Sequence, residues 1–208
     1  MGSDRRVLGR ALVAIGALVT AFLAASPVAR AAPLAASVTG GDRIHGSAYQ
    51  CTAGVNVTDG SVYYIVTLGL CGEVESVWYT SDDAFIGYTA GSTFPPYDGA
   101  IIRYDGDVAH PGTIGAQDVT SAGDARIGEN VCARTAAAGV ACGQVQFGVD
   151  AASDGTFADI CGGSAYVGAP VYDGTTVLGL VTDVAKAGCG VYFEPVTGLL
   201  AQWGVSVY

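Results

Sequence analysis

Five Asp-Gly steps divide this chain: Asp59-Gly60, Asp98-Gly99, Asp105-Gly106, Asp154-Gly155 and Asp173-Gly174. Asp-Gly supplies the positive backbone angles of tight hairpin turns. Between the steps lie short runs rich in β-branched and aromatic residues. Residues 61–67 read Ser-Val-Tyr-Tyr-Ile-Val-Thr, 100–104 read Ala-Ile-Ile-Arg-Tyr, and 176–181 read Thr-Val-Leu-Gly-Leu-Val. Such runs bounded by turns predict strands. Only 196–203, near the end, keeps a helical apolar period, and it is short. Many short strands with frequent turns predict a β-sandwich or β-barrel protein. The 31 glycines agree with a turn-rich fold, and a 13% charged fraction beside 50% hydrophobic residues excludes a disordered chain. Residues 108–125, with Pro111, Gly112 and Gly115, read as a link between two β modules of similar size.

The first 31 residues have the three parts of a secretory signal peptide. Arg5, Arg6 and Arg10 precede an apolar stretch at 11–25, and Ala29-Arg30-Ala31 offers a small-x-small cleavage site. The apolar stretch is short for a membrane span, which needs about 20 residues. Asp4-Arg5-Arg6-Val7-Leu8 matches a twin-arginine signal weakly, so the export route stays open. Export implies oxidation, so Cys51, Cys71, Cys132, Cys142, Cys161 and Cys189 are expected to pair. Six cysteines allow fifteen connectivities, among them the nearest-neighbour one. No Cys-x-x-Cys pair occurs, and neither His45 nor His110 has ligand-like spacing to a cysteine, so no metal site is expected. The net charge of −10, with Lys186 the one lysine, argues against nucleic-acid binding. Removing the leader, with its four arginines, makes the rest more acidic still. Such a surface favours basic partners.

Several segments, in order, resemble the streptogrisin and α-lytic protease group of secreted bacterial chymotrypsin-like serine peptidases. Val38-Thr39-Gly40-Gly41-Asp42 resembles the group's mature N-terminus. Phe94-Pro95-Pro96-Tyr97-Asp98-Gly99-Ala100-Ile101-Ile102-Arg103-Tyr104 resembles the stretch with its catalytic aspartate. Gly115-Ala116-Gln117-Asp118-Val119-Thr120-Ser121-Ala122 resembles its interdomain strand. Glu194-Pro195-Val196-Thr197 and Trp203-Gly204-Val205-Ser206-Val207-Tyr208 resemble its C-terminal segment. The resemblance implies an all-β fold of two antiparallel Greek-key barrels with a cleft between them and a short C-terminal helix. The expected division is a signal peptide at 1–31, a remnant at 32–37 without a pro-region, and barrels at 38–116 and 117–208. It also implies the local disulfides Cys51 with Cys71, Cys132 with Cys142, and Cys161 with Cys189.

Peptide hydrolysis by this group needs a serine nucleophile, a histidine base, an orienting aspartate and an oxyanion hole. The histidine stands in Thr-Ala-Gly-His-Cys, where this chain reads Thr67-Leu68-Gly69-Leu70-Cys71. Leu70 replaces the base, and Leu68 adds bulk behind the cleft. Asp98 keeps the aspartate, with Thr182 as its expected partner. The nucleophile stands in Gly-Asp-Ser-Gly-Gly-Pro, where this chain reads Ala165-Tyr166-Val167-Gly168-Ala169-Pro170. Val167 replaces the serine, Ala165 the oxyanion glycine, and Tyr166 an acid whose arginine partner follows the cysteine aligned with Cys132. Ala133 holds that place, with Arg134 next to it. Along the specificity groove, Thr182-Asp183-Val184 replace a serine and small glycines, and Val184 is expected to narrow the mouth. Ser164 is expected to point away from Val167, and neither histidine is expected to act as a base.

These replacements lead to the expectation of a secreted, monomeric homologue that is not an enzyme. It would bind an unnamed protein or peptide, without cofactor, metal, nucleic acid or membrane. Leu70 and Val167 imply either a filled core or an apolar groove. The alternative is a serine-type endopeptidase or other hydrolase using other residues. A structural or nutritional secreted protein is the third reading.

Overall fold

A computed structural model describes residues 35–71, 76–93, 98–148, 155–185 and 189–208. The expected signal peptide, residues 94–97 of the aspartate motif, Asp154 and Lys186 lie outside the described residues. All described residues belong to one unit, Leu34–Tyr208.

The first seven strands of the described residues are β1 Arg43–His45, β2 Gln50–Thr52, β3 Val55–Thr58, β4 Tyr63–Thr67, β5 Val77–Thr80, β6 Phe85–Ser92 and β7 Ala100–Tyr104. A two-stranded ribbon follows, β8 Thr113–Ile114 with β9 Gln117–Asp118. Then come β10 Ser121–Ala122, β11 Asn130–Thr135, β12 Gly139–Phe147, β13 Thr156–Ala158, β14 Pro170–Asp173, β15 Thr176–Val184 and β16 Val191–Pro195. The chain ends with helix α1, Val196–Trp203, and strand β17, Ser206–Val207. The expected helix is therefore present. The segment read as a linker, 108–125, carries three short strands.

The first sheet runs β17-β3-β4-β7-β6-β5-β1-β2. The second runs β10-β15-β14-β11-β12-β13-β16, and β16 pairs again with β15, which closes it. These two barrel-like sheets are the all-β, chymotrypsin-like architecture that the resemblance implied. The last strand crosses back, with Val207 opposite Val57 in the first sheet. Each sheet encloses an apolar core of alternating inward residues. Ile44, Ile65, Trp78, Ile86 and Ile102 fill the first; Val131, Val171, Val181 and Phe193 fill the second. The Trp78 indole N–H donates to the Thr89 hydroxyl at 2.7 Å, so its polar atom is satisfied inside the core. Three disulfides join Cys51 to Cys71, Cys132 to Cys142 and Cys161 to Cys189. Cys132 and Cys142 lie directly opposite each other on β11 and β12.

The Asp-Gly steps divide into two kinds. Gly60 (φ 92°) and Gly174 (φ 53°) turn the β3–β4 and β14–β15 hairpins in the left-handed region. Gly99 and Gly106 are not in that region, so those steps are not the tight turns expected. Gly106 serves a close approach instead: a Cβ there would run into the Phe85 carbonyl oxygen. A Cβ at Gly99 would overlap the Leu199 side chain of α1. Gly60 has open space around it, so Gly60→Ala meets only backbone strain, about 1–2 kcal/mol. Gly106→Ala meets backbone and is expected to cost more, about 3 kcal/mol. Urea unfolding of the two variants measures the difference.

Candidate functional site

The expected site residues come from three places in the fold. Leu70 lies in a 3-10 turn at Gly69–Cys71, fixed by the Cys51–Cys71 bridge. Asp98 lies just before β7, and Val167 just after a 3-10 turn at Gly163–Tyr166. The Asp98 carboxylate accepts the Leu70 backbone N–H at 3.1 Å. The Asp98 N–H in turn donates to Glu194 Oε2 on β16 at 2.9 Å. A chain of hydrogen bonds thus links positions 70, 98 and 194, and the sequence reading had not singled out Glu194. Thr182 is not the partner of Asp98: its hydroxyl donates to the Tyr192 carbonyl at 3.3 Å. The pairing of β15 with β16 holds Thr182 over its neighbour strand, so its hydroxyl is used there.

Neither replacement is a fully filled core. Leu70 is 54% exposed, whereas Leu68 is buried in the first core. Val167 is half-buried against the same core, and its carbonyl accepts the Thr52 hydroxyl at 3.2 Å. Gly168 (φ 82°) donates its N–H to the Val181 carbonyl at 2.7 Å. Tyr166, only 2% exposed, packs into the second core, with its hydroxyl toward the Ala138 carbonyl at 3.4 Å. Burial raises its pKa. An acid at 166 would be costly in that apolar setting unless paired. Arg134 points elsewhere: its guanidinium donates to the Gly40 carbonyl at 2.7 Å and to Asp42 at 3.1 Å. At the groove positions, Asp183 is exposed and caps the Val184 N–H at 2.7 Å, while Val184 packs against the second core.

A hollow of about 210 Å³ opens beside Val167, with Thr52, Thr135, Ser164 and Ala165 on its walls and Arg43 at its edge. Ser164 was expected to point away from Val167. Ser164 is exposed and, with Ala165 and Val167, borders this hollow. The histidines lie outside it. His45 pairs with Asp83 at 3.0 Å and stacks on Tyr79. His110 Nδ1 bonds the Tyr208 hydroxyl at 2.9 Å, among the rings of Tyr63 and Tyr104. Among the described residues, no group of three or more His, Cys, Asp or Glu could hold a metal. No described helix is long and apolar enough to cross a membrane.

No family model matches the chain. It is 31% identical over 188 residues to Streptogrisin-D of Streptomyces griseus, covering 82% of this chain and 48% of that one. It is 32% identical over 192 residues to Serine protease 1 of Streptomyces fradiae, covering 82% and 52%. The chain thus spans about half the length of these two relatives. Glutamyl endopeptidase 2 of Streptomyces griseus is 28% identical and is covered in full, with 82% of this chain. Among solved structures, a glutamic-acid-specific serine protease superposes with a TM-score of 0.72 at 29% identity, covering 82% of this chain and all of the other. An α-lytic protease homologue gives 0.68 at 27%, covering 83% and 100%. These comparisons correct the expectation that the chain is not an enzyme. The homologues named are active proteases, and nothing shows this chain to be inactive.

The half-buried Glu194 carboxyl carries a testable consequence. Burial raises its pKa, the Asp98 N–H opposes that shift, and the nearby Asp98 carboxylate adds to it. A raised folded-state pKa gives stability that is full below the unfolded value and lost as pH rises through the folded one. Glu194→Gln is therefore expected to remove this loss. Relative to the parent it gains stability at pH 7 and not at pH 4, as urea unfolding at both pH values measures.

Proposed function

Because the chain is a homologue of the streptogrisin and α-lytic protease group of bacterial chymotrypsin-fold serine peptidases, we propose that it acts on polypeptides as a slow, exported serine-type hydrolase. The observation that carries this reading is the likeness to named proteases along 82% of the chain. Three disulfides and the arginine-flanked apolar segment at 11–25 support export.

In this reading Leu70, Asp98 and Val167 stand at the positions of the family's histidine, aspartate and serine. Ala165 and Tyr166 belong to the oxyanion loop, and Thr182 to Val184 border the groove. Leucine and valine side chains neither move a proton nor attack a carbonyl, so the reacting groups are others. Ser164, an exposed residue that borders the hollow beside Val167, is the candidate hydroxyl. Asp98 keeps the 70-turn in place through its bond to the Leu70 N–H.

Magnitudes set the expected rate. Loss of the serine or histidine from a comparable triad costs about 10⁶ in turnover. Roughly 10³–10⁴ over water survives from binding and oxyanion contacts. Incubation of the purified chain with acetylated peptides and esters, with products identified by mass spectrometry, tests the reading. Hydrolysis faster than buffer, lowered in Ser164→Ala together with fluorophosphonate labelling, is expected. Hydrolysis no faster than buffer overturns it. The combined variant Leu70→His, Val167→Ser, Ala165→Gly is expected to raise turnover and probe reactivity on the same scaffold.

A further inference from the structure

Arg43 stands apart from the other described arginines. Arg103 pairs with Asp105 at 2.9 Å, and Arg134 with Asp42 at 3.1 Å. Among the described residues neither the Arg43 nor the Arg126 guanidinium has a carboxylate partner, the Arg126 backbone N–H donates to Glu129 at 2.7 Å, and Arg43 lines a hollow. It lines two. One is the hollow beside Val167; the other, of about 340 Å³, is bordered by Ser37, Asp42, Thr80 and Ser81. Ala136 and Ala137 border both, so Arg43 stands on their common wall.

Arg43 is exposed, and no described carboxylate pairs with its guanidinium. Among the described residues Asp42 is the one carboxylate on either lining, and both its oxygens accept hydrogen bonds. Oδ1 accepts from Arg134, and Oδ2 accepts from the Thr39 N–H and hydroxyl. The remaining polar groups beside Val167 are neutral: Gln50, Thr52, Thr135 and Ser164. The strand pairing explains the grouping. Arg43 lies opposite Thr52 across β1 and β2, and directly opposed residues project to the same face.

We infer that Arg43 makes this hollow a carboxylate-binding subsite, which selects peptides carrying an acidic group beside Val167. This rests on the polypeptide reading above and names its substrate class. A guanidinium presents a planar fork of N–H donors that matches a carboxylate bidentately. The chain's net charge of −10 repels acidic peptides at long range, so the selection is a short-range contact. A peptide's C-terminal carboxylate offers the same chemistry as a glutamate side chain.

Direct binding measurements keep this inference separate from turnover. Calorimetric titration uses three short acetylated alanine peptides: one with a central glutamate and an amidated end, one with a free C-terminal carboxylate, and one with a central glutamine and an amidated end. At least one carboxylate peptide is expected to bind about tenfold tighter than the neutral one, the size of a charge-assisted hydrogen bond. The stronger of the two identifies the source. Arg43→Gln is expected to abolish the difference, and Arg126→Gln to keep it. Equal binding of all three peptides, no binding by any, or an unchanged preference in Arg43→Gln overturns the inference. Carboxylate-selective binding without hydrolysis would remove the hydrolase reading and leave the subsite standing. Hydrolysis without that preference would do the reverse.

Discussion

The Arg134 guanidinium ties the second sheet to the segment that enters the first. It leaves β11 and reaches the Gly40 carbonyl and the Asp42 carboxylate, just ahead of β1. The backbone is shaped around it. Gly41 and Gly115 both take positive φ angles, and a Cβ at Gly115 would collide with the Arg134 side chain. The Ala136 N–H adds a backbone bond to the Gly41 carbonyl at 2.6 Å. Breaking one side of a partly buried ion pair leaves the other charge uncompensated, so arginine and aspartate stand or fall together. The hollow beside Val167 depends on this junction, since Gly41 and Arg43 form one wall and residues 135–137 another.

The other walls come from covalent and hydrogen-bonded constraints. The Cys51–Cys71 bridge holds β2 to the turn bearing Leu70, and the Thr67 hydroxyl donates to the Thr52 carbonyl at 2.7 Å. Thr52 then reaches the Val167 carbonyl, so the first sheet touches the 164–167 turn directly. Leu70 and Asp98 are joined through main-chain and carboxylate atoms rather than through an imidazole. A leucine side chain leaves the carboxylate's hydrogen-bonding capacity to the backbone, and the 70-turn uses it. The scaffold of a serine peptidase is thus held by contacts that do not require the usual reacting side chains.

The sequence made the architecture legible because strand periodicity and turn residues are local signals. Ala100–Tyr104 is a strand with the expected bounds, and Val196–Trp203 is the expected helix. Other features depend on packing that no local pattern records. Asp105-Gly106 looks like Asp59-Gly60 in sequence, yet one glycine admits a neighbouring carbonyl and the other makes a turn. Thr182 was placed beside Asp98 by resemblance, but a β-bulge between Val181 and Asp183 sits at that position, and its hydroxyl bonds the Tyr192 carbonyl. The roles of Glu194 and Arg43 were equally out of reach. One meets Asp98 across 96 positions of chain, and the other has no carboxylate partner among the described residues. The expectation of inactivity rested on Leu70, Val167, the oxyanion loop at Ala165 and Tyr166 and the groove at 182–184, whereas the likeness to proteases extends over 82% of the chain.

The central claim is that polypeptide is engaged in the hollow beside Val167. Amide chemical-shift mapping of the isotopically labelled chain during titration with a short glutamate-containing peptide tests it most directly. The account predicts shifts concentrated at residues 41–43, 50–52, 135–137 and 164–167, which surround the hollow. Shifts concentrated on another face, with these residues unmoved at saturation, would contradict it.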